Sequence, residues 1–414
     1  MRHWAIFTDN STPVRELVSL LLEGPVPIGF EALEGKKGAL FSTMEIARFM
    51  EEEIRHDLKI LTVTTSQSLQ SMSSGERKKA LLKYVLSLEP YFLILDHPFD
   101  NLDDTSRKTF LSELDTIKDQ VQFIQMISRK ADLLPFITQV ARWHEGGLRW
   151  KGDKDNFEGT QNETLPDFDR QLPPPPEPIP YPHQYLMEMD KVSVAYGEKA
   201  ILHEISWQIK PGEFWELKGA NGSGKTTLLS MITGDNPKAY GQNLSLFNRK
   251  KGSGESIWEI KKKIGYVTPA LTDRFRGYHT VEHMLISGLT DSIGLYIIPS
   301  EGQKKLARLW LGLLGMTEKI HSYFHDLTKG EQRLLMCARA MVKHPLLLIL
   351  DEPTADLDDE AAALVVALVN KMAHNSQTAI IFVSHREEPK LTAQKIFELK
   401  QTINGSIGNI LNYS

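Results

Sequence analysis

The sequence predicts an α/β protein made of two similar halves in tandem, of which the first is shortened and degenerate. A glycine-rich loop lies between a strand-like and a helix-like stretch at residues 213–232. An apolar, strand-like run that ends in aspartate occurs twice, at residues 91–96 and 346–351. Apolar strands that alternate with helices are typical of parallel sheets covered by helices. We therefore expect one parallel sheet in each half.

Composition restricts the class of protein. The 414 residues are enough for two or three domains. With 48 Lys and Arg against 53 Asp and Glu, the net charge of −5 gives no overall attraction to nucleic acid or to an anionic membrane surface. The single cysteine, Cys337, excludes a disulfide framework and cysteine-based metal sites, and we expect a buried thiol in a reducing compartment.

Apolar runs in the sequence are short. No stretch of 18 consecutive apolar residues is present, as a membrane-spanning helix would require. The apolar run that follows Met1 is also too short for a signal peptide. We expect a cytoplasmic protein, with peripheral attachment to the inner face of the membrane as the alternative.

The glycine-rich loop fits the pattern of a nucleotide phosphate-binding loop between a strand and a helix. Its glycines let consecutive backbone N–H groups turn toward an anionic triphosphate, and the positive end of the following helix adds to the attraction. Lys225 is expected to bridge the β- and γ-phosphates, and the Thr226 hydroxyl is expected to bind Mg²⁺. The predicted loop consists of Gly219, Ala220, Asn221, Gly222, Ser223, Gly224, Lys225, Thr226 and Thr227.

The first half repeats this strand, loop and helix without the residues that bind phosphate. Aligning Trp4 with Trp215 places the same pattern of strand and helix at both positions. In the first copy, valine (Val14) replaces Lys225, and proline (Pro13) occupies a loop position where it cannot donate an N–H.

A second ordered match establishes a duplication. Residues 69–103 contain a serine-glycine segment, a helix, an apolar strand and a turn, and residues 327–358 contain the same elements in the same order. Asp96 then aligns with Asp351, so the offset grows from 211 to 255 residues and the second copy is 44 residues longer between the two matches. We expect a helical subdomain before the serine-glycine segment, smaller in the first half by about this number.

This order of motifs, completed by a strand that ends at His385, resembles ABC-type ATPase domains over nearly the whole chain apart from the linker. Residues 252–262, 264–267 and 287–294 resemble the tandem ATPases of the ModF group, which carries a molybdenum-transport or photorepair label. The resemblance implies two ABC-type P-loop NTPase domains in tandem. It also implies ATP as the substrate and Mg²⁺ as the cofactor.

The resemblance also implies roles for side chains of the second half. Tyr196 would stack on adenine, and Asp351 would bind Mg²⁺ through water. Glu352 would act as the general base on the attacking water, and His385 would contact the γ-phosphate. Residues 268–269 are Thr-Pro where most ABC domains have a glutamine that reports on a transmembrane partner. This departure puts coupling through that position in doubt.

The first half lacks the matching catalytic residues but keeps the serine-glycine segment before a helix, which is called the signature. Val14, His97 and Arg129 stand where the resemblance leads us to expect lysine, glutamate and histidine. Two ABC domains pair head to tail, so the signature of the first half would close the phosphate loop of the second half and form one competent composite site. The opposite site, between the phosphate loop of the first half and the signature of the second half, would be inert. The retained signature residues are Ser73, Ser74 and Gly75.

A proline-rich linker at residues 151–184 is expected to join a degenerate domain at residues 1–150 to an intact domain at residues 185–414. From residue 150 to residue 184 the chain carries seven acidic and three basic residues. Ribosome-associated tandem ABC proteins have long, basic, helical linkers, whereas this linker is short, acidic and interrupted by prolines. The linker therefore gives no strong indication of nucleic-acid binding.

Two functions stay open. The first is an ATPase that energises a separate membrane permease. The second is an ATP-gated clamp on a macromolecular complex such as the ribosome or DNA. The Thr-Pro pair at residues 268–269 favours the clamp, and the catalytic Glu352 favours turnover.

Overall fold

The chain divides into two compact units in the computed structural model. Unit 1 comprises Met1–Gln161 and Asp356–Asp359, and unit 2 comprises Asn162–Ala355 and Glu360–Ser414. Ser11, the counterpart of Gly222 in the repeat, lies outside the described residues. The structure describes residues 1–10, 12–63, 67–144, 147–157, 168–272, 274–275 and 277–412.

Unit 1 is a mixed sheet covered by helices. Its strands follow the order β2-β3-β4-β1-β5-β6, and each neighbouring pair is parallel except β5 and β6. The interior strand β3 is buried over its first four residues, as its unbroken apolar sequence requires. The elements are β1 (Trp4–Phe7), α1 (Val14–Leu22), β2 (Gly38–Phe41), α2 (Thr43–His56), α3 (Ser74–Ser87), β3 (Phe92–Asp96), α4 (Asp104–Ile117), β4 (Gln122–Ile127), β5 (Gln139–His144) and β6 (Gly147–Asp153).

Unit 2 has a second sheet of the same kind, with the order β12-β13-β14-β9-β15-β16, and an antiparallel sheet with the order β11-β10-β7-β8. The elements are β7 (Met187–Tyr196), β8 (Lys199–Ile209), β9 (Phe214–Gly219), α5 (Lys225–Ile232), β10 (Leu244–Leu246), β11 (Arg249–Lys250), α6 (Ile257–Lys263), β12 (Ile264–Val267), α7 (Pro269–Thr272), α8 (Val281–Ser287), α9 (Glu301–Leu313), α10 (Lys329–Met341), β13 (Leu347–Asp351), α11 (Asp359–Asn375), β14 (Ala379–Val383), β15 (Lys395–Lys400) and β16 (Ile407–Asn412).

The two six-stranded sheets have the same strand order, which confirms the predicted α/β tandem repeat. Strand register locates the extra residues of the second copy. Gly38 pairs with Phe92 as Ile264 pairs with Leu347, so the offset is 226 residues at the second strand and 255 at the third. Of the 44 extra residues, 15 therefore precede β12 and 29 belong to the helical subdomain. That subdomain is thus smaller in unit 1 by 29 residues rather than by 44.

The first sheet extends beyond the predicted domain boundary at residue 150. Strand β6 continues to Asp153 and pairs with β5. Phe157 then stacks on Phe7, with ring centroids 4.7 Å apart. The linker expected from residue 151 therefore starts after this strand, because these residues complete the edge and the core of unit 1.

Residues 168–184, predicted as an extended linker, contain no helix or strand and pack against other parts of unit 2. Phe168 is buried, and its carbonyl oxygen accepts a hydrogen bond of 2.6 Å from Lys371 Nζ. The carbonyl oxygen of Pro173 accepts a hydrogen bond of 2.7 Å from His344 Nε2. Burial of an aromatic ring and these two side-chain bonds explain why this segment lies against the second domain.

Helix α10 contains Cys337, whose side chain is fully buried. The expected buried cysteine is thus confirmed, and its burial raises the pKa of the thiol to about 12. Among the described residues, no helix has both the length and the apolar character needed to cross a membrane.

Candidate nucleotide site

The predicted phosphate loop connects β9 to α5 in a conformation that requires glycine. Gly222 and Gly224 have φ values of 78° and 92°. A Cβ atom on Gly224 would lie 2.8 Å from Leu202 Cδ2, so a side chain has no room there. The loop thereby exposes its backbone N–H groups at the start of α5.

Lys225 places its ammonium group inside this loop. Its Nζ donates to the carbonyl oxygens of Gly219 and Ala220, at 2.7 and 3.1 Å. The Ser223 hydroxyl is buried in the same loop and has no hydrogen-bond partner among the described residues. A phosphate oxygen would satisfy this hydroxyl and accept from the ammonium group. These residues therefore fit the phosphates of a nucleotide.

Asp351 lies where the adjacent parallel strands β13, β14 and β9 end together. Burial raises the pKa of Asp351 to about 6, and the charge of Glu352 adds to this effect. The charges of Lys225 and His385 act in the opposite direction. The residues predicted as metal ligand, base, phosphate-binding lysine and γ-phosphate contact thus interact electrostatically. Thr226, the other predicted metal ligand, is exposed in the first turn of α5.

Glu352 follows Asp351 in a left-handed backbone conformation, with a φ of 50°. Its N–H donates to the carbonyl oxygen of Val383, and its own carbonyl oxygen accepts from Arg333 Nη1 at 3.2 Å. Its side chain contacts His385, with Glu352 Oε1 and His385 Nε2 2.7 Å apart. The hydrogen bond from His385 lowers the pKa of Glu352 despite its burial. The carboxylate is therefore ionised at neutral pH, as a general base must be.

Tyr196 ends β7 with 48% of its surface exposed. Its hydroxyl accepts a hydrogen bond of 2.9 Å from Asn236 Nδ2, and Lys238 Nζ lies 5.9 Å from the ring centroid. The ring is thus held at one end and exposed, as a surface for stacking on a base should be.

The signature of unit 1 starts α3 with a capping box. Ser73 Oγ accepts from the N–H of Glu76, and Glu76 Oε2 accepts from the N–H of Ser73. Ser74 Oγ donates to the carbonyl oxygen of Asn101 at 2.9 Å. A cavity of about 270 Å³ lies between the first turns of α3, at Ser73 and Gly75, and helix α4. The same capping box starts α10 in unit 2.

The degenerate loop of unit 1 contains a carboxylate and no lysine. Asp9 aligns with Ala220 in the repeat. Its Oδ1 accepts from Thr12 Oγ1 at 2.9 Å, and its Oδ2 lies 2.6 Å from His144 Nδ1. A negative charge at this point opposes the binding of a triphosphate. Sequence comparison identified the missing lysine but overlooked this added charge.

His97, which replaces the general base in unit 1, keeps the backbone conformation of that position. Its φ is 46°, and its N–H donates to the carbonyl oxygen of Met126. Its Nδ1 lies 2.7 Å from Asp96 Oδ1. Burial disfavours the charged imidazole, but the hydrogen bond to Asp96 and the charge of Asp100 raise the pKa of His97 overall. Its Nδ1 is thus engaged by Asp96, and no carboxylate is present at this position to accept a proton from water.

The segment Asp356–Asp359 of unit 1 is held by two positions of the degenerate half. Arg129 is buried, and its Nε donates to the carbonyl oxygen of Leu357 at 2.9 Å. The N–H of Asn10 donates to Asp358 Oδ2 at 3.0 Å. From the sequence alone, Arg129 was interpreted only as the replacement of a histidine. Its contact joins residues 228 positions apart, which no local pattern reveals.

The comparisons with known proteins agree with this geometry. A profile of the ABC transporter family matches residues 202–355. The ABC transporter ATP-binding protein ModF of Escherichia coli (strain K12) is 38% identical over 345 residues, which are 79% of this chain and 69% of that protein. An uncharacterised ABC transporter ATP-binding protein of Schizosaccharomyces pombe is 30% identical over 332 residues, which are 78% of this chain and 66% of that protein. The chain thus spans about two thirds of the length of these relatives.

A solved structure also shares the fold over almost the whole chain. The archaeal ribosome recycling factor aABCE1, solved in a complex with the archaeal ribosomal stalk protein aP1, has a TM-score of 0.63. The match covers 99% of this chain and 86% of that chain at 16% identity, so it shows the fold alone. On the evidence of its motifs, its two sheets and its 38% sequence identity with ModF, the chain belongs to the family of ABC transporter ATP-binding proteins.

Proposed function

We propose that the chain binds and hydrolyses ATP at one composite site. The phosphate loop of the second half, with Asp351, Glu352 and His385, would supply the catalytic groups. The first-half signature, residues 73–75, would close over the γ-phosphate. The degenerate loop of the first half would hold no ATP.

The observation that carries this proposal is the opposite charge of the side chains in the two aligned loops. The loop of unit 2 holds the buried ammonium group of Lys225, whereas the loop of unit 1 carries the carboxylate of Asp9, which is 36% exposed and contacts Thr12 and His144. A triphosphate is attracted to the first group and repelled by the second. Pro13 removes a further N–H donor from the first-half loop.

The side chains of unit 2 fit the chemistry of ATP hydrolysis. Glu352 is ionised and can accept a proton from an attacking water, while His385 holds its carboxylate in position. Thr226 and Asp351 would hold Mg²⁺, which neutralises phosphate charge when it is bound. No group of three or more His, Cys, Asp or Glu side chains in the described part of the chain could hold a metal, so phosphate oxygens and water would complete the coordination.

The signature helix suits the closing role. An α-helix leaves its first N–H groups without an intrahelical partner. The capping box satisfies the N–H groups of Ser73 and Glu76, which leaves those of Ser74 and Gly75 in the first turn of α3 outside the capping box. Two such donors at the positive end of a helix of 14 residues are suited to a phosphate oxygen.

The test is the rate of ATP hydrolysis by matched variants of the two halves. Lys225→Ala and Glu352→Gln should each lower the rate by about 10²-fold or more. His97→Gln, at the position of unit 1 aligned with Glu352, should leave the rate unchanged. Near-normal hydrolysis by Glu352→Gln at saturating ATP would exclude the assigned role. A large loss in His97→Gln would show that the first half also turns over.

For the task that ATP hydrolysis serves, we favour the energising of a separate membrane permease. Identity to an ABC transporter ATP-binding protein supports it, and the ModF group suggests a molybdate-type cargo. A clamp on the ribosome or DNA is the second candidate. In its favour, Thr268 replaces the expected glutamine, and its Oγ1 accepts from the N–H of Leu271 to cap the short helix α7.

Affinity capture with Glu352→Gln, which should accumulate the ATP-bound form, distinguishes the two tasks. A permease that is recovered with Glu352→Gln supports transport, and ribosomes or DNA support the clamp. Lys225→Ala is the control, since a true partner of the ATP-bound form should be depleted from that capture.

A further inference from the structure

Unit 2 contains a cavity of about 460 Å³. Strand β12, helix α7 and helix α10 contribute to its walls, together with Thr233 and Asp235, which follow the phosphate-loop helix α5. Strand β12 is separated by β13 and β14 from β9, the strand that leads into the phosphate loop. The polar side chains that line it include Asp235, Lys261, Tyr266, Arg274 and Arg339.

Arg339 is a buried cation in the wall of this cavity. Only 4% of its surface is exposed. Its Nε donates to Ser287 Oγ at 3.0 Å, and its Nη2 donates to the carbonyl oxygen of Ser292 at 2.8 Å. It forms no ion pair with any described residue. Burial lowers the pKa of Arg339 to about 10, and the more distant charge of Asp291 only partly opposes this.

The acidic side chains of the cavity are already neutralised by lysines. Asp235 Oδ1 lies 2.7 Å from Lys261 Nζ, and Asp291 forms an ion pair with Lys343. Among the described residues, these two pairs leave Arg339 without an ion pair, and its guanidinium group lies 5.1 Å from the centre of the Phe275 ring. Arg274, which is exposed at the edge of the cavity, likewise forms no ion pair with the described residues.

A buried charge without a partner is costly, and proteins normally match it with an opposite charge. The cavity offers two guanidinium groups and the hydroxyls of Tyr266 and Thr268. Its volume lies in the range of small-ligand sites. We propose that this cavity binds a small, free oxyanion, a carboxylate or a phosphate, between Arg339 and Arg274.

Calorimetric titration with succinate and with inorganic phosphate tests the proposal. Both titrations use Lys225→Ala protein, so that the phosphate loop does not compete for the anion. One equivalent of at least one anion should bind. Adding Arg274→Gln should weaken that binding by roughly tenfold, because it removes one charge-assisted hydrogen bond. Arg308→Gln is the matched control, since Arg308 is an exposed arginine that does not line the cavity.

The pattern of binding identifies the ligand class. Binding of phosphate alone would support a phosphate-bearing ligand, and binding of succinate would support a carboxylate. Arg339→Lys, which keeps the charge but loses the planar pair of donors, should also weaken binding, with folding checked by thermal melting. Absence of binding for both anions would overturn the proposal. Equal affinities of Arg274→Gln and Arg308→Gln would do so as well.

Discussion

Nε2 of His385 lies 2.7 Å from Oε1 of Glu352, so the two catalytic residues proposed for the intact half contact each other directly. Their side chains are 15% and 29% exposed, which leaves the pair accessible from one side. The contact lowers the pKa of Glu352 and restricts the orientation of its carboxylate. His385 can therefore affect hydrolysis through the base as well as through the nucleotide.

We predict that His385→Ala will change the pH dependence of hydrolysis as well as its rate. Loss of the hydrogen bond should raise the pKa of Glu352, so the acidic limb of the pH–rate profile should move to higher pH. The maximal rate should fall by roughly 10²-fold. His144→Ala is the control, because His144 is bonded to Asp9 in the degenerate half. An unchanged acidic limb would show that His385 does not tune the base.

We predict that Asp351→Asn will stabilise the nucleotide-free protein while it removes hydrolysis. The pKa of Asp351 rises from 3.8 to about 6 on folding, so the folded state binds this proton more tightly. The resulting stabilisation is complete below pH 4 and is lost as the pH rises through 6. At pH 7.5 the buried, ionised carboxyl is therefore unfavourable.

Thermal melting without nucleotide or Mg²⁺ measures this effect. Asp351→Asn should gain on the order of 1–2 kcal/mol of stability at pH 7.5, and the gain should shrink at pH 5. Asp119→Asn, a change at an exposed position, should have little effect at either pH. A lower melting temperature for Asp351→Asn at pH 7.5 would contradict the raised pKa.

We predict that one ATP binds per chain. Isothermal calorimetry on Glu352→Gln should give a stoichiometry of one, since Asp9 and Val14 replace the groups that would bind phosphate in unit 1. Adding Lys225→Ala should remove this binding. Adding Asp9→Asn should leave the stoichiometry at one, because the first-half loop still lacks its lysine. Two tight sites would contradict the single-site proposal.

We predict that Gly75→Asp will lower hydrolysis by about tenfold or more, because its carboxylate would face the γ-phosphate in the composite site. The fold should tolerate the change, since a Cβ at this position meets Ser106 Oγ only at 3.5 Å, an ordinary contact. Gly330→Asp, the matching change in the second half, should lower the rate much less. ATPase rates and melting temperatures of both variants provide the measurement.

Equal losses in the two variants, or a larger loss in Gly330→Asp, would contradict the composite site. That result would indicate that the second half pairs with another copy of itself. The first half would then be a partner-binding remnant.

The sequence predicted the sheets and the second-half site because their determinants are local. Gly224 and Lys225 lie in one loop, and Asp351 and Glu352 lie at one strand end. The chemistry of such a site requires particular residue types at a fixed spacing, which is visible in the sequence. The parallel order of the strands then brings His385 beside Glu352.

The contacts that the sequence did not predict join distant residues. Asp9 and His144 are 135 positions apart, and the packing of Phe168 depends on Lys371. Neither pair has a recognisable spacing. The sequence did not predict the burial of Arg339 either, because an apolar helix pattern does not show whether the guanidinium group of an arginine faces solvent or a cavity. Burial and partner choice are set by tertiary packing, so these features required the structure.

His97 and Glu352 have the same backbone conformation. The first half has lost both a catalytic carboxylate and phosphate binding, and these two losses differ in how many substitutions would reverse them. Both residues adopt the same left-handed conformation and donate to the neighbouring strand, so position 97 still accommodates a glutamate. One substitution would restore a carboxylate there. Phosphate binding at residues 8–14 would need several substitutions. The division of labour between the halves is therefore hard to reverse, and the obstacle is the loop rather than the catalytic side chain.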